Sequence, residues 1–164
     1  MRYALGGSDP VFSSIEAVVR GLSMGLVELS VSRHKGSVRV MAVICGPPGG
    51  GTVGIDDCAR AHRAIQPRLE LAFPKQNIHV EVSSPGTGRR IKDGAEFAHY
   101  LGQTVSCYRP DAGGWTSGIL ASADDTGIVI KEESGMTSIS YGEIAKARLG
   151  ALAPVAERKA GAAV

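Results

Sequence analysis

Residues 79–90 read HVEVSSPGTGRR, and the division of the chain turns on this stretch. It begins as a strand, with Val80 and Val82 alternating with Glu81. It then breaks into two serines, a proline, two glycines and two arginines. Apolar alternation specifies a half-buried strand, and Pro and Gly close it with a turn. A tight turn with adjacent cations directly after a strand has three readings: an anion cradle, a nucleophile elbow, or a joint between two domains.

Upstream of it, SDPVFSSIEAVVRG (8–21) carries helix-start chemistry. Ser8 or Asp9 can cap the free N–H groups, and Pro10 suits the first turn. Val11, Ile15, Val18, Val19 and Leu22 recur at helical spacing, with Gly21 or Gly25 to end the helix. LVELSVSR and SVRVMAVI flank Lys35-Gly36, a spacing that predicts an antiparallel hairpin. CGPPGGGTVG (45–54) reads as a loop. IDDCARAHRAIQPRLELAF restarts a helix with Asp56 as its expected cap, and Pro67 predicts a kink or an end near Gln66. With NIHVEV (77–82) as a third strand, residues 1–84 read α-β-β-α-β, a two-layer α/β sandwich with its helices on one sheet face.

Downstream, DGAEFAHYLG is a short helical turn. QTVSCYR, GWTSGILASA, GIVIKEE, MTSISY and AKARL follow, separated by PDAGG, DDTG, ESG and YGE. Short strands at regular spacing with glycine turns predict a small β-barrel. The fold class is therefore α+β, with residues 1–84 as an N-terminal domain, 85–92 as a joint, 93–150 as a barrel and 151–164 as a frayed tail.

The 164 residues carry 18 Lys+Arg against 16 Asp+Glu, a formal net charge of +2. That is too small to announce a nucleic-acid binder, so any cationic surface must arise by local clustering. Cys45, Cys58 and Cys107 are far apart with no C-x-x-C pair, which argues against a zinc site or a disulfide framework and fits a reducing cytoplasm. No apolar run reaches the ~18 residues of a membrane span, and the opening MRYALGGSDPVF lacks the apolar core of a secretion signal.

GGGTVG (49–54) matches a dinucleotide fingerprint, yet that site needs a parallel βαβ unit, and the strand before it belongs to an antiparallel hairpin. It reads as a connection. Ser83 and Ser84 lack the G-x-S-x-G of an elbow, and the four histidines lack metal-ligand spacing. No catalytic residue, metal or cofactor is expected. His62 reads as a solvated helix position or as part of a surface meeting RNA or protein. Arg89, Arg90 and Lys92 are different, because three cations follow a glycine-supported turn where backbone N–H groups can approach a phosphate. The competing reading pairs Arg89 internally with a carboxylate, and one arginine can serve each purpose. Trp115, in AGGWTSG, is an interaction anchor or a core residue.

HVEVSSPGTGRRI resembles the hallmark of the bacterial ribosome maturation factor RimP family, a Leu-Glu-Val-Ser-Ser-Pro-Gly run leading into an arginine. GLVELSV, TVGIDDCARAHRAI, DGAEFAHYLGQTV, GILASADDTGIVI and SYGEIAKARL resemble further family blocks in order, over roughly residues 11–150. The chain departs at Thr87-Gly88-Arg89-Arg90-Ile91, where the family usually shows Leu-Asp-Arg-Pro-Leu. An aspartate is lost and a proline has become a cation, so a joint stiffened by that proline is expected to be looser here.

The resemblance implies a KH-like N-terminal domain and an Sm/SH3-like C-terminal barrel. It implies a non-enzymatic, cytoplasmic and monomeric assembly factor that binds the free small (30S) ribosomal subunit. Its partners would be rRNA and a small-subunit ribosomal protein near the decoding centre, with no membrane and no small-molecule substrate. Arg89, Arg90 and Lys92 are the expected rRNA phosphate contacts, and Trp115, Tyr108 and Arg109 the expected protein contacts. The rival reading is a general RNA-binding module of KH-plus-Sm type acting on other RNAs, which the low aromatic content of 5% disfavours.

Overall fold

A computed structural model describes residues 1, 9–47 and 51–150. They fall into two compact units, one from the segment 7–85 and one from 86 onward together with Met1.

In the first unit, α1 (Pro10–Gly21) starts as its sequence dictates. The Asp9 side chain accepts from the Val11 N–H at 2.9 Å, and Pro10 takes the first helical position. Strands β1 (Gly25–His34) and β2 (Ser37–Cys45) pair antiparallel from His34↔Ser37 to Gly25↔Cys45. The two-residue loop between them has Lys35 at φ 40° and Gly36 at φ 82°. Both are left-handed, the conformation that matches the twist of a tight hairpin. β3 (Asn77–Ser83) lies parallel to β2, from Ser37↔Asn77 to Val43↔Ser83. Parallel pairing requires a long crossover, which the helix α2 (Ile55–Ala72) provides. β2 therefore belongs to a parallel βαβ unit as well as to the hairpin, and the pairing argument against a dinucleotide fingerprint at 49–54 is corrected.

The order β1-β2-β3 makes β2 the central strand. Its Val38, Val40, Ala42 and Ile44 are fully buried and pack with Ile15 and Val19 of α1 and Ala61, Ile65 and Leu69 of α2. The predicted α-β-β-α-β order is observed. The expected cap of α2 is corrected, and of the kink or end expected at Pro67 the end is excluded. Gly54, not Asp56, caps α2, and Asp57 reaches back so that its Oδ2 accepts from the Gly54 N–H at 3.0 Å. The helix starts two residues earlier than a cap at Asp56 allows. Nor does Pro67 end α2, which continues to Ala72. Pro67 is exposed while Ile65 and Leu69 are buried beside it, so the Arg63 carbonyl it leaves unbonded faces water and burial of the other face carries the helix through.

The second unit is a six-stranded antiparallel sheet formed by β4 (Arg90–Ile91), β5 (Thr104–Arg109), β6 (Gly114–Ala123), β7 (Gly127–Glu132), β8 (Gly135–Ser140) and β9 (Lys146–Leu149). Its order is β4-β9-β5-β6-β7-β8, with β4 and β8 at the ends. Ile91, Val105, Cys107, Leu120, Ile128, Ile130, Ile139 and Ala147 are buried, as are Phe97 and Tyr100 of a 3₁₀ helix at Gly94–Tyr100. The strand and turn positions follow the alternation in the sequence. The tail 151–164 and Gly49-Gly50 lie outside the described residues.

Tyr141 closes this core. Its ring stacks on Phe97 with centroids 6.1 Å apart, and its hydroxyl lies 2.6 Å from the Asp124 carbonyl and 3.1 Å from the Gly94 carbonyl. A Cβ on Gly94 would stand 2.7 Å from that ring, so only glycine admits it. Gly94→Ala is expected to cost about 2 kcal/mol through overpacking. Urea unfolding followed by the fluorescence of Trp115, which lies in this unit, measures it; a loss under about 0.5 kcal/mol would show that the ring moves aside freely.

Candidate nucleic-acid interface

The candidate cations of the opening stretch sit where the chain enters the second unit. Gly88, at φ 78°, donates its N–H to the Leu149 carbonyl at 2.8 Å, and Leu149 donates to the Arg89 carbonyl at 2.8 Å. This pairing tethers the turn to β9 and delivers Arg90 into β4. Alternation then separates the arginines, with Arg89 turned inward and Arg90 exposed.

Arg89 meets Glu96. Its Nε donates to Glu96 Oε1 at 2.8 Å, and the two side chains are 15% and 6% exposed. The same oxygen accepts from the Tyr100 hydroxyl at 2.9 Å, and the other oxygen accepts from the Lys92 backbone N–H at 3.1 Å. Asp93 caps the 3₁₀ helix, accepting from the N–H groups of Ala95 and Glu96 at 2.9 and 3.2 Å, and so aims Glu96 into the core. Burial, followed by the Glu96 charge, pushes the Tyr100 hydroxyl pKa up, so it remains a donor. A buried carboxylate with three donors is a satisfied structural group. Arg89 is therefore engaged inside the unit, while Arg90 and Lys92 present exposed positions.

Arg90 stands opposite Arg148 in the β4–β9 register. Arg148 in turn stands opposite Ser106, and Lys146 opposite Tyr108. Tyr108 stands opposite Trp115, with ring centroids 5.6 Å apart, and the Arg148 guanidinium carbon lies 5.6 Å from the Trp115 ring centroid. Strand alternation puts all five side chains on one face, opposite to buried Ile91, Ala147, Leu149, Val105 and Cys107. Sequence reasoning singled out Tyr108 and Trp115 but missed Lys146 and Arg148. The alternation Lys146-Ala147-Arg148-Leu149 already put both cations on one face, but their neighbours depended on which strands β9 pairs with.

Arg109 is held within its own unit. Its Nη2 donates to Glu143 Oε1 at 2.7 Å, and Glu143 Oε2 accepts from the Ser140 N–H and Oγ, both at 2.8 Å. The Ser140 amide first, then Arg109, lower the Glu143 pKa from 4.5 to about 2. Burial raises the thiol pKa values of Cys45 and Cys107 to about 11 and about 12, so neither is a thiolate at neutral pH. Ser83, the last residue of β3, and Ser84 after it are exposed, and among the described residues no cluster of three His, Cys, Asp or Glu side chains is placed to hold a metal ion.

Two expectations follow. Arg89→Ala strands the Glu96 charge and should destabilise the second unit by about 3 kcal/mol, whereas Arg90→Ala should stay within about 0.5 kcal/mol; urea unfolding of both variants compares them, and equal losses would deny Arg89 its structural role. For Glu143 the folded pKa lies below the ordinary value, so its stabilisation is complete above pH 4.5 and lost as pH falls toward about 2. Glu143→Gln should therefore flatten the acid limb of the stability curve in that window. An unchanged limb would count against the Ser140–Glu143–Arg109 cluster.

Comparison with known proteins fits this framework. Residues 14–88 match the family model of the RimP N-terminal domain. The chain is 25% identical to the ribosome maturation factor RimP of Borrelia turicatae and 27% identical to that of Borrelia hermsii. Each alignment runs over 142 residues, 87% of this chain and 95% of the relative. The chain belongs to the ribosome maturation factor RimP family.

Proposed function

We propose that this protein binds the free small (30S) ribosomal subunit in the cytoplasm and assists its maturation without catalysing a reaction. The observation that carries the reading is the RimP likeness over 87% of the chain to relatives named ribosome maturation factors. The α-β-β-α-β order of the first unit supports a KH-like layout, and the consecutive antiparallel strands of the second support an Sm/SH3-like barrel.

On this reading rRNA phosphates are met by the exposed Arg90 and Lys92, while Arg89 holds Glu96. The end strand β8, with Met136 62% exposed, offers backbone groups and apolar surface to a small-subunit ribosomal protein. No helix among the described residues is long and apolar enough to cross a membrane.

Co-sedimentation of the protein with immature small subunits tests the proposal. Binding is expected at low salt, weakening as salt rises because phosphate contacts release counterions. Arg90→Gln/Lys92→Gln should reduce co-sedimentation several-fold with folding intact. Failure to sediment with immature or mature particles at low salt would sink the reading.

A further inference from the structure

We propose that the open sheet face bearing Arg90, Arg148, Lys146, Tyr108 and Trp115 is a binding platform for single-stranded RNA. This rests on the ribosome-assembly reading and deepens it, naming the surface and the form of RNA it takes.

The first reason is electrostatic. Arg90 and Arg148 are directly opposite across an antiparallel pair, and Lys146 follows two residues along on the same face of β9. Like charges directly opposite destabilise a sheet. All three are exposed, and among the described residues none of them is in an ion pair with a carboxylate. The free protein thus carries a local repulsion that an anion laid across β4 and β9 relieves. A phosphate backbone supplies anions in a row, and arginine grips them with paired N–H groups.

The second reason is the aromatic pair. Tyr108 and Trp115 adjoin the cations on the next two strands. Trp115 is partly exposed, with Arg148 already over its ring. Cations beside partly exposed rings are the chemistry that holds single strands, the rings stacking on bases while the cations track the backbone. A duplex keeps its bases stacked on each other and cannot use the rings. Beside the aromatics, a groove of about 440 Å³ continues along the same face, with Thr104, Ser117, Ile119 and Lys131 in its lining together with Glu132 and Glu133. It is a recess beside the stacking positions rimmed by Lys131, Glu132 and Glu133, so it suits an uncharged base and not a phosphate. Tyr108 and Trp115 thus pass from expected protein anchors to RNA contacts.

The test uses the full chain and a twelve-residue oligouridylate, unlabelled for Trp115 fluorescence and fluorescein-labelled for anisotropy. The expected result is quenching of Trp115, the only tryptophan in the chain. Arg148→Gln, Lys146→Gln and Arg90→Gln should each weaken binding roughly five- to tenfold and lower the salt slope by about 0.7. Trp115→Leu should weaken it roughly five- to a hundredfold, and Arg63→Gln on α2 should leave it unchanged. Wild-type affinity and salt slope in Arg148→Gln, an unquenched Trp115 at saturation, or equal binding of an adenylate–uridylate duplex or polyglutamate would each overturn the proposal. Co-sedimentation separates the two readings. Charge variants that bind the oligonucleotide like wild type, from a chain that still joins immature small subunits, refute the platform alone. Platform-dependent oligonucleotide binding by a chain that never joins those particles refutes the assembly reading alone.

Discussion

A carboxylate taken out of water must be met by donors, and in the second unit that carboxylate is Glu96. Arg89, Tyr100 and the Lys92 amide converge on its two oxygens. They come from the entering turn, the 3₁₀ helix and the segment between them. Satisfying one charge therefore fixes where the chain enters, how the 3₁₀ helix lies over the sheet, and which side of β4 faces out. The strong coupling of a buried charge to its partners gives the cluster this reach, since losing any donor leaves the desolvation cost standing.

The same constraint sorts the cations by role. Arg89 points inward because Glu96 requires it, and strand alternation then turns Arg90 outward. Once outward, Arg90 meets Arg148 in register and extends a face that β9, β5 and β6 continue with Lys146, Tyr108 and Trp115. A structural arginine thus sets the orientation of a surface one. Within that face Arg148 gains from the Trp115 ring beneath it, but its pairing with Arg90 is repulsive. That repulsion is a local cost in the free protein, and on the proposed reading an anionic partner relieves it.

Local chemistry was legible wherever one short interval carried it. Asp9-Pro10 announced the start of α1, Lys35-Gly36 the hairpin, and alternating Val80 and Val82 the third strand, because caps, tight turns and pleats are set by neighbouring residues. The start of α2 misled, since glycine caps without a side-chain signal and Asp57 reaches backward from inside the helix. Pro67 predicts a kink or an end, and the end does not occur. Its helix-breaking tendency is local, but Ile65 and Leu69 bury themselves against strands distant in sequence and override it.

The sequence by itself determined the element order, the strand character of each short run, the family likeness, and the presence of three cations after a turn. These rest on periodicity and on residues within a few positions of one another. Only the tertiary structure decided that Arg89 is structural and Arg90 exposed, because Glu96 is seven residues away and its burial depends on the whole sheet. It also decided that Arg148 and Lys146 stand beside Trp115 and Tyr108. That neighbourhood follows from β9 pairing with β4 and β5, a choice among distant strands made by the packing of the apolar face, to which the polar side chains of the other face contribute little.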